Sequence, residues 1–140
     1  MNVLIDTNVI LDVLLRRVPH FLYAAIVCVL SEKGFINAYL SASAVTDIYY
    51  IARKETKSKD TALQLTRNLL KAINVATVTG YNILEALDLE WDDFEDSVQY
   101  VVGKSISVDY IITRNPADFA DSQILVLAPK EFIQQLASEG

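Results

Sequence analysis

The sequence predicts an α/β fold, a three-layer α/β/α sandwich built on a central, mainly parallel five-stranded sheet. Three observations carry that expectation. Short apolar runs alternate along the whole chain with stretches at helical spacing. The runs lack polar alternates, as expected of parallel strands covered on both faces. With 140 residues, 52% of them hydrophobic, and only four Gly and three Pro, the chain has the size and composition of one compact domain over residues 1–140.

Met1 to Ile5 reads as a strand that stops at Asp6-Thr7-Asn8, a group suited to capping the next helix. Val9, Ile10, Val13 and Leu14 supply that helix's apolar stripe, and Arg16-Arg17 close it. Pro19 is placed to begin a second helix that carries Phe21, Ile26 and Leu30 and ends at Gly34. Residues 35–40 form a second strand. Ser41 or Ser43 caps a helix from Ala44 to about Lys54, and Ser58 or Asp60 caps another that runs to Asn74. Val75 to Thr79 is β-branched and predicts a third strand. A short helix over 82–89 follows, then one over 94–104 capped by Asp92 or Asp93, with Trp91 as a hydrophobic staple. Val108 to Thr113 is a fourth strand broken by Asn115-Pro116, Ile124 to Leu127 a fifth, and Pro129 opens a last helix with Phe132, Ile133 and Leu136 inside.

Composition removes several function classes. One Cys and one His leave neither a disulfide nor a zinc site of thiolates and imidazoles. The apolar run from Phe21 to Leu30 is well short of the ~20 residues of a membrane span, and an acidic residue at position 6 with no base before Arg16 does not fit a signal peptide, so a cytoplasmic protein is expected. Twelve Lys and Arg against 18 Asp and Glu give a formal charge of −6, which argues against nucleic-acid binding through a broad basic surface. With only four glycines, the chain has neither a phosphate-binding loop nor a dinucleotide fingerprint.

In a parallel α/β sheet the functional crevice lies at the carboxyl ends of the strands. Asp6 is delivered there directly by the first strand, and Thr113, Asn115 and Asp118 follow the fourth. Asp47 stands early in a helix among apolar neighbours, and Asp96 lies in the first turns of the helix after Asp92-Asp93. Each has a structural reading: Asp6 as a helix cap, Asp96 and its neighbours as acids favoured by a helix N-terminus, Asn115-Pro116 as a turn, Asp47 as part of a solvated edge. Together, carboxylates gathered at one edge repel one another and call for a cation. Oxygen ligands without His or Cys match Mg²⁺ or Mn²⁺, ions that polarise a phosphodiester and acidify a bound water. Two such ions, carrying +4, would move the formal charge from −6 to −2. Arg114 beside this edge is the best placed residue to hold a phosphate. Cys28 reads as a small core hydrophobe and His20 as a helix-start surface residue.

Four segments in order then resemble a known family. Val3-Leu4-Ile5-Asp6-Thr7-Asn8, Ser43-Ala44-Val45-Thr46-Asp47-Ile48, Asp93-Phe94-Glu95-Asp96-Ser97-Val98 and Ile111-Ile112-Thr113-Arg114-Asn115-Pro116-Ala117-Asp118 look like successive signatures of a PIN domain, over nearly the whole chain. The resemblance implies a metal-dependent, single-strand-directed endoribonuclease using Mg²⁺ or Mn²⁺. It also implies kinship with VapC-type toxins, which a small antitoxin neutralises, and homodimerisation. By motif position Asp6, Asp47 and Asp96 are the metal-binding acids, with Asn115 or Asp118 completing the site and Thr7, Asn8, Thr113 and Arg114 beside the substrate. The sequence departs from many relatives in carrying Asn115 for Asp and Asp47 for Glu. The stripe Phe94, Val98, Val101, Val102 turns Glu95, more than Asp96, toward the core, so Glu95 is the reserve third acid. The rival readings are a degenerate PIN fold that binds RNA or a protein without cutting, and another acid-pocket α/β protein. Against the latter, no second Asp lies two residues beyond Asp6, as a dehalogenase-like phosphatase needs, and no Asp-Asp pair follows the first strand, as a receiver needs.

Overall fold

The computed structural model describes residues 1–139. Strands β1 (Asn2–Ile5), β2 (Asn37–Ser41), β3 (Asn74–Ala76), β4 (Tyr110–Ile112) and β5 (Leu125–Leu127) form one sheet in the order β3-β2-β1-β4-β5. Every pairing is parallel, so the expected "mainly parallel" sheet is wholly so. The helices are α1 (Thr7–Leu14), α2 (Phe21–Glu32), α3 (Ala42–Thr56), α4 (Lys59–Ala72), α5 (Gly80–Leu89), α6 (Phe94–Ser105) and α7 (Pro129–Glu139), with a short 3₁₀ helix at Pro116–Phe119.

Alternation along the strands builds two cores. Val3, Ile5, Ala38, Leu40, Tyr110 and Ile112 point to the face covered by α1, α2, α3, α4 and α7. Leu4 and Ile111 point the other way, onto α5, α6 and the 3₁₀ helix. The chain leaves β1 for β2 and β3 on one side, then crosses back to β4 and β5 on the other. The switch in direction falls between β1 and β4, where a crevice opens at the carboxyl ends.

Boundaries differ from expectation where caps or exposure decide them. The second strand starts at Asn37, which pairs with Asn2, and Phe35 is 71% exposed. Thr79 belongs to no strand: its hydroxyl accepts from the Asn82 amide while the Asn82 side chain accepts from the Thr79 amide, a reciprocal cap that starts α5 at Gly80. Ser58, not Asp60, caps α4, and Asp93, not Asp92, caps α6. Pro19 lies outside α2, whose N-cap is His20. Trp91 packs against Tyr100 and Phe119, anchoring α6 to the 3₁₀ helix.

Phe132 is fully buried and meets Tyr110 edge-on with centroids 5.6 Å apart. Phe132→Ala should therefore cost about 3–5 kcal/mol of unfolding free energy. Phe35→Ala should stay within about 0.5 kcal/mol. Urea denaturation of the two variants checks the contrast.

Candidate active site

Asp6 is the pivot of the crevice. Its backbone N–H donates to the Ile112 carbonyl (2.9 Å), extending the β1–β4 pairing by one residue. Its side chain then caps α1, Oδ1 accepting from the Thr7 amide at 2.7 Å. The same oxygen accepts from Gln99 Nε2 at 2.9 Å, and Oδ2 accepts from the Thr113 hydroxyl at 2.7 Å. Strand, cap and two side chains thus fix one buried carboxylate, 6% exposed.

Other acids are set around it. The Asp93 side chain accepts from the Asp96 amide at 3.1 Å and so caps α6. Glu95 Oε1 accepts from the Thr7 hydroxyl at 3.0 Å and lies in the field of Asp47 from α3. Asp96 stands in the field of Asp6, Asp93, Asp118 and Glu95. It also lines a cavity of about 390 Å³ with Asp92, Asp93, Asp118 and Asp121. Glu95 and Asp96 are both half-buried at the crevice, so α6 delivers two acids where sequence phase weighed one against the other. Helix α6 is buried on nearly every side from Ser97 to Gly103, and the naive apolar stripe does not decide which way its first turn points.

Burial and crowding push Asp6, Glu95 and Asp96 toward neutrality. Asp6 titrates above the ordinary carboxylate range, chiefly because it is desolvated, despite the hydrogen bonds from Thr113, Gln99 and Thr7. Glu95 is raised to about 7 by burial and then by Asp47 and Asp6, against the stabilising Thr7 hydroxyl. Asp96 is raised to about 7 by burial, Asp6, Asp93, Asp118 and Glu95.

The remaining expected residues have distinct placements. Thr113 is fully buried; its hydroxyl serves Asp6 and accepts from the Asn115 amide at 3.2 Å. Thr7 is spent on Asp6 and Glu95, so both threonines hold acids in place. Asn8 accepts from the Arg114 amide at 3.2 Å, tying α1 to the segment after β4. Asn115 precedes the 3₁₀ helix with its side chain exposed, and Asp118 is exposed on that helix. Arg114 turns its guanidinium away, to Asp12 (Nε to Oδ2, 3.5 Å). Burial pushes the Cys28 thiol up to about 11, in keeping with a core role.

Sequence reasoning missed Gln99 and Asp12. Gln99 is completely buried, gives Nε2 to Asp6, and leaves its Oε1 without a partner. A neutral amide within a helix carries no signal of such a role. Asp12 carries one, a lone acid between Leu11 and Val13 in an apolar helix, the argument used for Asp47.

The donor set is all oxygen, which suits a hard divalent cation. The orphaned Gln99 Oε1 fits as well, since a buried acceptor awaits a donor such as the water of a hydrated ion. Among the described residues, no three acidic, His or Cys side chains stand close enough together to hold a metal ion.

Comparison with known proteins agrees with this fold. The PIN domain profile matches residues 2–117. The chain belongs to the PIN domain family. It is 30% identical to Ribonuclease VapC1 of Aquifex aeolicus, over 96% of this chain and 94% of that one. In fold it is similar to a toxin–antitoxin complex component from Klebsiella pneumoniae, with TM-score 0.68 and 21% identity over 91% of this chain and 97% of the other. It is also similar to Mycobacterium tuberculosis VapC20, a toxin that cleaves the sarcin–ricin loop, with TM-score 0.64 and 12% identity over 78% and 86% of the two chains.

Between the ordinary carboxyl values of 3.8 to 4.5 and about 7, folded Glu95 and Asp96 retain protons that the unfolded chain has released. Their contribution to stability is therefore present in full below that window and is lost as pH rises through it. In EDTA, wild type should lose melting temperature between about pH 4.5 and 7.5 more steeply than a Glu95→Gln, Asp96→Asn double variant. Parallel curves for the two proteins would contradict the assignment.

Proposed function

We propose that this PIN-domain protein is a divalent-metal-dependent endoribonuclease that cuts single-stranded RNA, and that it is the toxin of a toxin–antitoxin pair acting in the cytoplasm. The observation that carries the reading is the convergence of Asp6, Asp47, Glu95, Asp96 and Asp118 at the β1/β4 switch point, with pKa values near 7 for two of them. Such an arrangement is costly for folding and useful for holding cations. The likeness to the Aquifex aeolicus ribonuclease and to the Klebsiella pneumoniae toxin–antitoxin component supports it.

Asp6, Asp47 and Asp96 would hold Mg²⁺ or Mn²⁺, with Glu95 beside them and Asn115 or Asp118 completing the shell. The bound ion would supply Lewis acidity and a water of lowered pKa. Thr113, Gln99 and the Thr7 amide hold the Asp6 oxygens in one orientation. Thr7 does the same for Glu95. The protein partners of this reading are a small antitoxin and a second copy of the chain; Tyr81, Leu84 and Leu87 remain exposed along α5.

Asp6→Asn keeps an N-cap oxygen, and the Thr113 hydroxyl can rotate to accept from the new amide, so the fold should survive with an unchanged or higher melting temperature. Its Mn²⁺-dependent cleavage of a single-stranded RNA should be abolished, and EDTA should abolish that of wild type. Wild-type protein that retains RNA without cutting it in Mg²⁺ or Mn²⁺ would replace this reading with that of a binding module.

Gln99→Leu removes an outer support of Asp6 and should weaken Mn²⁺ binding roughly 10- to 100-fold by isothermal titration. Thermal stability should hold, because the orphaned Oε1 disappears with the amide.

A further inference from the structure

On the other flank of Thr113 lies a second cavity, of about 360 Å³, between α1, α2 and the start of α7. Its chemistry is opposite to that of the acid crevice. Arg114, Lys130 and His20 line it together with Tyr23, Pro19 and Pro129. In a chain of formal charge −6, two cations against the single acid Asp12 give this cavity a positive balance, one residue in sequence from the Thr113 that orients Asp6.

The guanidinium is built in. Asp12, 1% exposed, receives Arg114 Nε at 3.5 Å, and its Oδ1 and the Nε are otherwise unpartnered. Asp12 lies at the floor of the same cavity, and its charge is set against that of Arg114. It holds the inner edge of the guanidinium, while Asn8, one helical turn earlier on α1, takes the Arg114 backbone amide at 3.2 Å. The rest of the Arg114 side chain, 32% exposed, is left toward the cavity. Across it Lys130 Nζ lies 5.9 Å from the centroid of the Tyr23 ring.

We propose that this cavity is a nucleotide subsite for the single-stranded RNA, holding a nucleotide next to the one cut. Arg114 and Lys130 take its phosphate, and Tyr23, with His20 and the two prolines beside it, offers flat surface for its base. This rests on the nuclease reading above and adds to it the place where the polyanion is gripped. An acidic protein segment would find the same cations, and its apolar side chains the same walls; what favours a nucleotide is that a cation and a flat ring stand side by side, Lys130 beside Tyr23, as phosphate and base do within one nucleotide.

The test uses the full chain and a fluorescein-labelled single-stranded RNA decamer. Anisotropy in EDTA reads binding without cleavage, and a Mn²⁺ assay on the same samples reads turnover. Lys130→Glu and Tyr23→Ala, on exposed side chains, should each weaken binding roughly tenfold and raise KM with kcat nearly unchanged. Lys130→Glu should also lower the slope of log K against log salt by about 0.7, the share of one single-strand phosphate contact, which a merely structural role would not move. Lys57→Glu, at the far end of α3, should change neither affinity nor slope.

Wild-type affinity and salt slope in both cavity variants would overturn the subsite while leaving the nuclease reading intact. Loss of affinity in those variants with no cleavage by wild type would sustain the subsite and overturn the nuclease. A poly-aspartate decamer that binds the cavity as tightly as the RNA would reassign it to an acidic protein partner.

Discussion

Mutual repulsion of carboxylates held at the end of a parallel sheet is the constraint on which the rest of this structure turns. Six acids act on one another there, Asp6 after β1, Asp47 of α3, Asp93, Glu95 and Asp96 at the start of α6, and Asp118 of the 3₁₀ helix, and their repulsion adds to the larger cost of desolvation. A protein selected for stability alone would disperse them. Instead, Thr7, Thr113, Gln99 and the caps of α1 and α6 are committed to keeping them in place.

The sheet makes this possible. All five strands run the same way, so every carboxyl end opens on one edge, and the reversal of winding between β1 and β4 leaves room there. Asp6 exploits that position twice, as helix cap and as the centre of the acid cluster. The same edge separates two environments of opposite sign, acids beside α6 and the 3₁₀ helix, cations between α1, α2 and α7. Arg114 follows Thr113 directly, yet its pairing with Asp12 commits it to the cationic side.

Strand positions and the delivery of Asp6 were legible in the sequence because runs such as Val3-Leu4-Ile5 and Ile111-Ile112 are buried on both faces and leave no alternative period. The caps were legible in kind but not in choice. Ser58 against Asp60, and Asp93 against Asp92, depend on which residue adopts the extended backbone that lets its side chain reach back to the helix. Less was legible in α6. A helical wheel assumes one wet face, whereas α6 is enclosed by the sheet, α5 and the 3₁₀ helix, so Glu95 and Asp96 both turn inward and Gln99 is fully buried. The side chains of Thr7, Thr113 and Arg114 illustrate the limit: their positions follow from the strands, but their partners come from segments roughly a hundred residues away, and no local pattern records such pairs.

The central claim is that this acid cluster is strained without a cation and relaxed with one. Carbon-13 carboxyl NMR of Glu95 and Asp96, titrated in EDTA and again in saturating Mg²⁺, tests it most directly. The account predicts midpoints of about 7 in EDTA that move well down toward the ordinary carboxylate range with Mg²⁺. Midpoints already ordinary in EDTA, or raised midpoints that Mg²⁺ leaves in place, would contradict it.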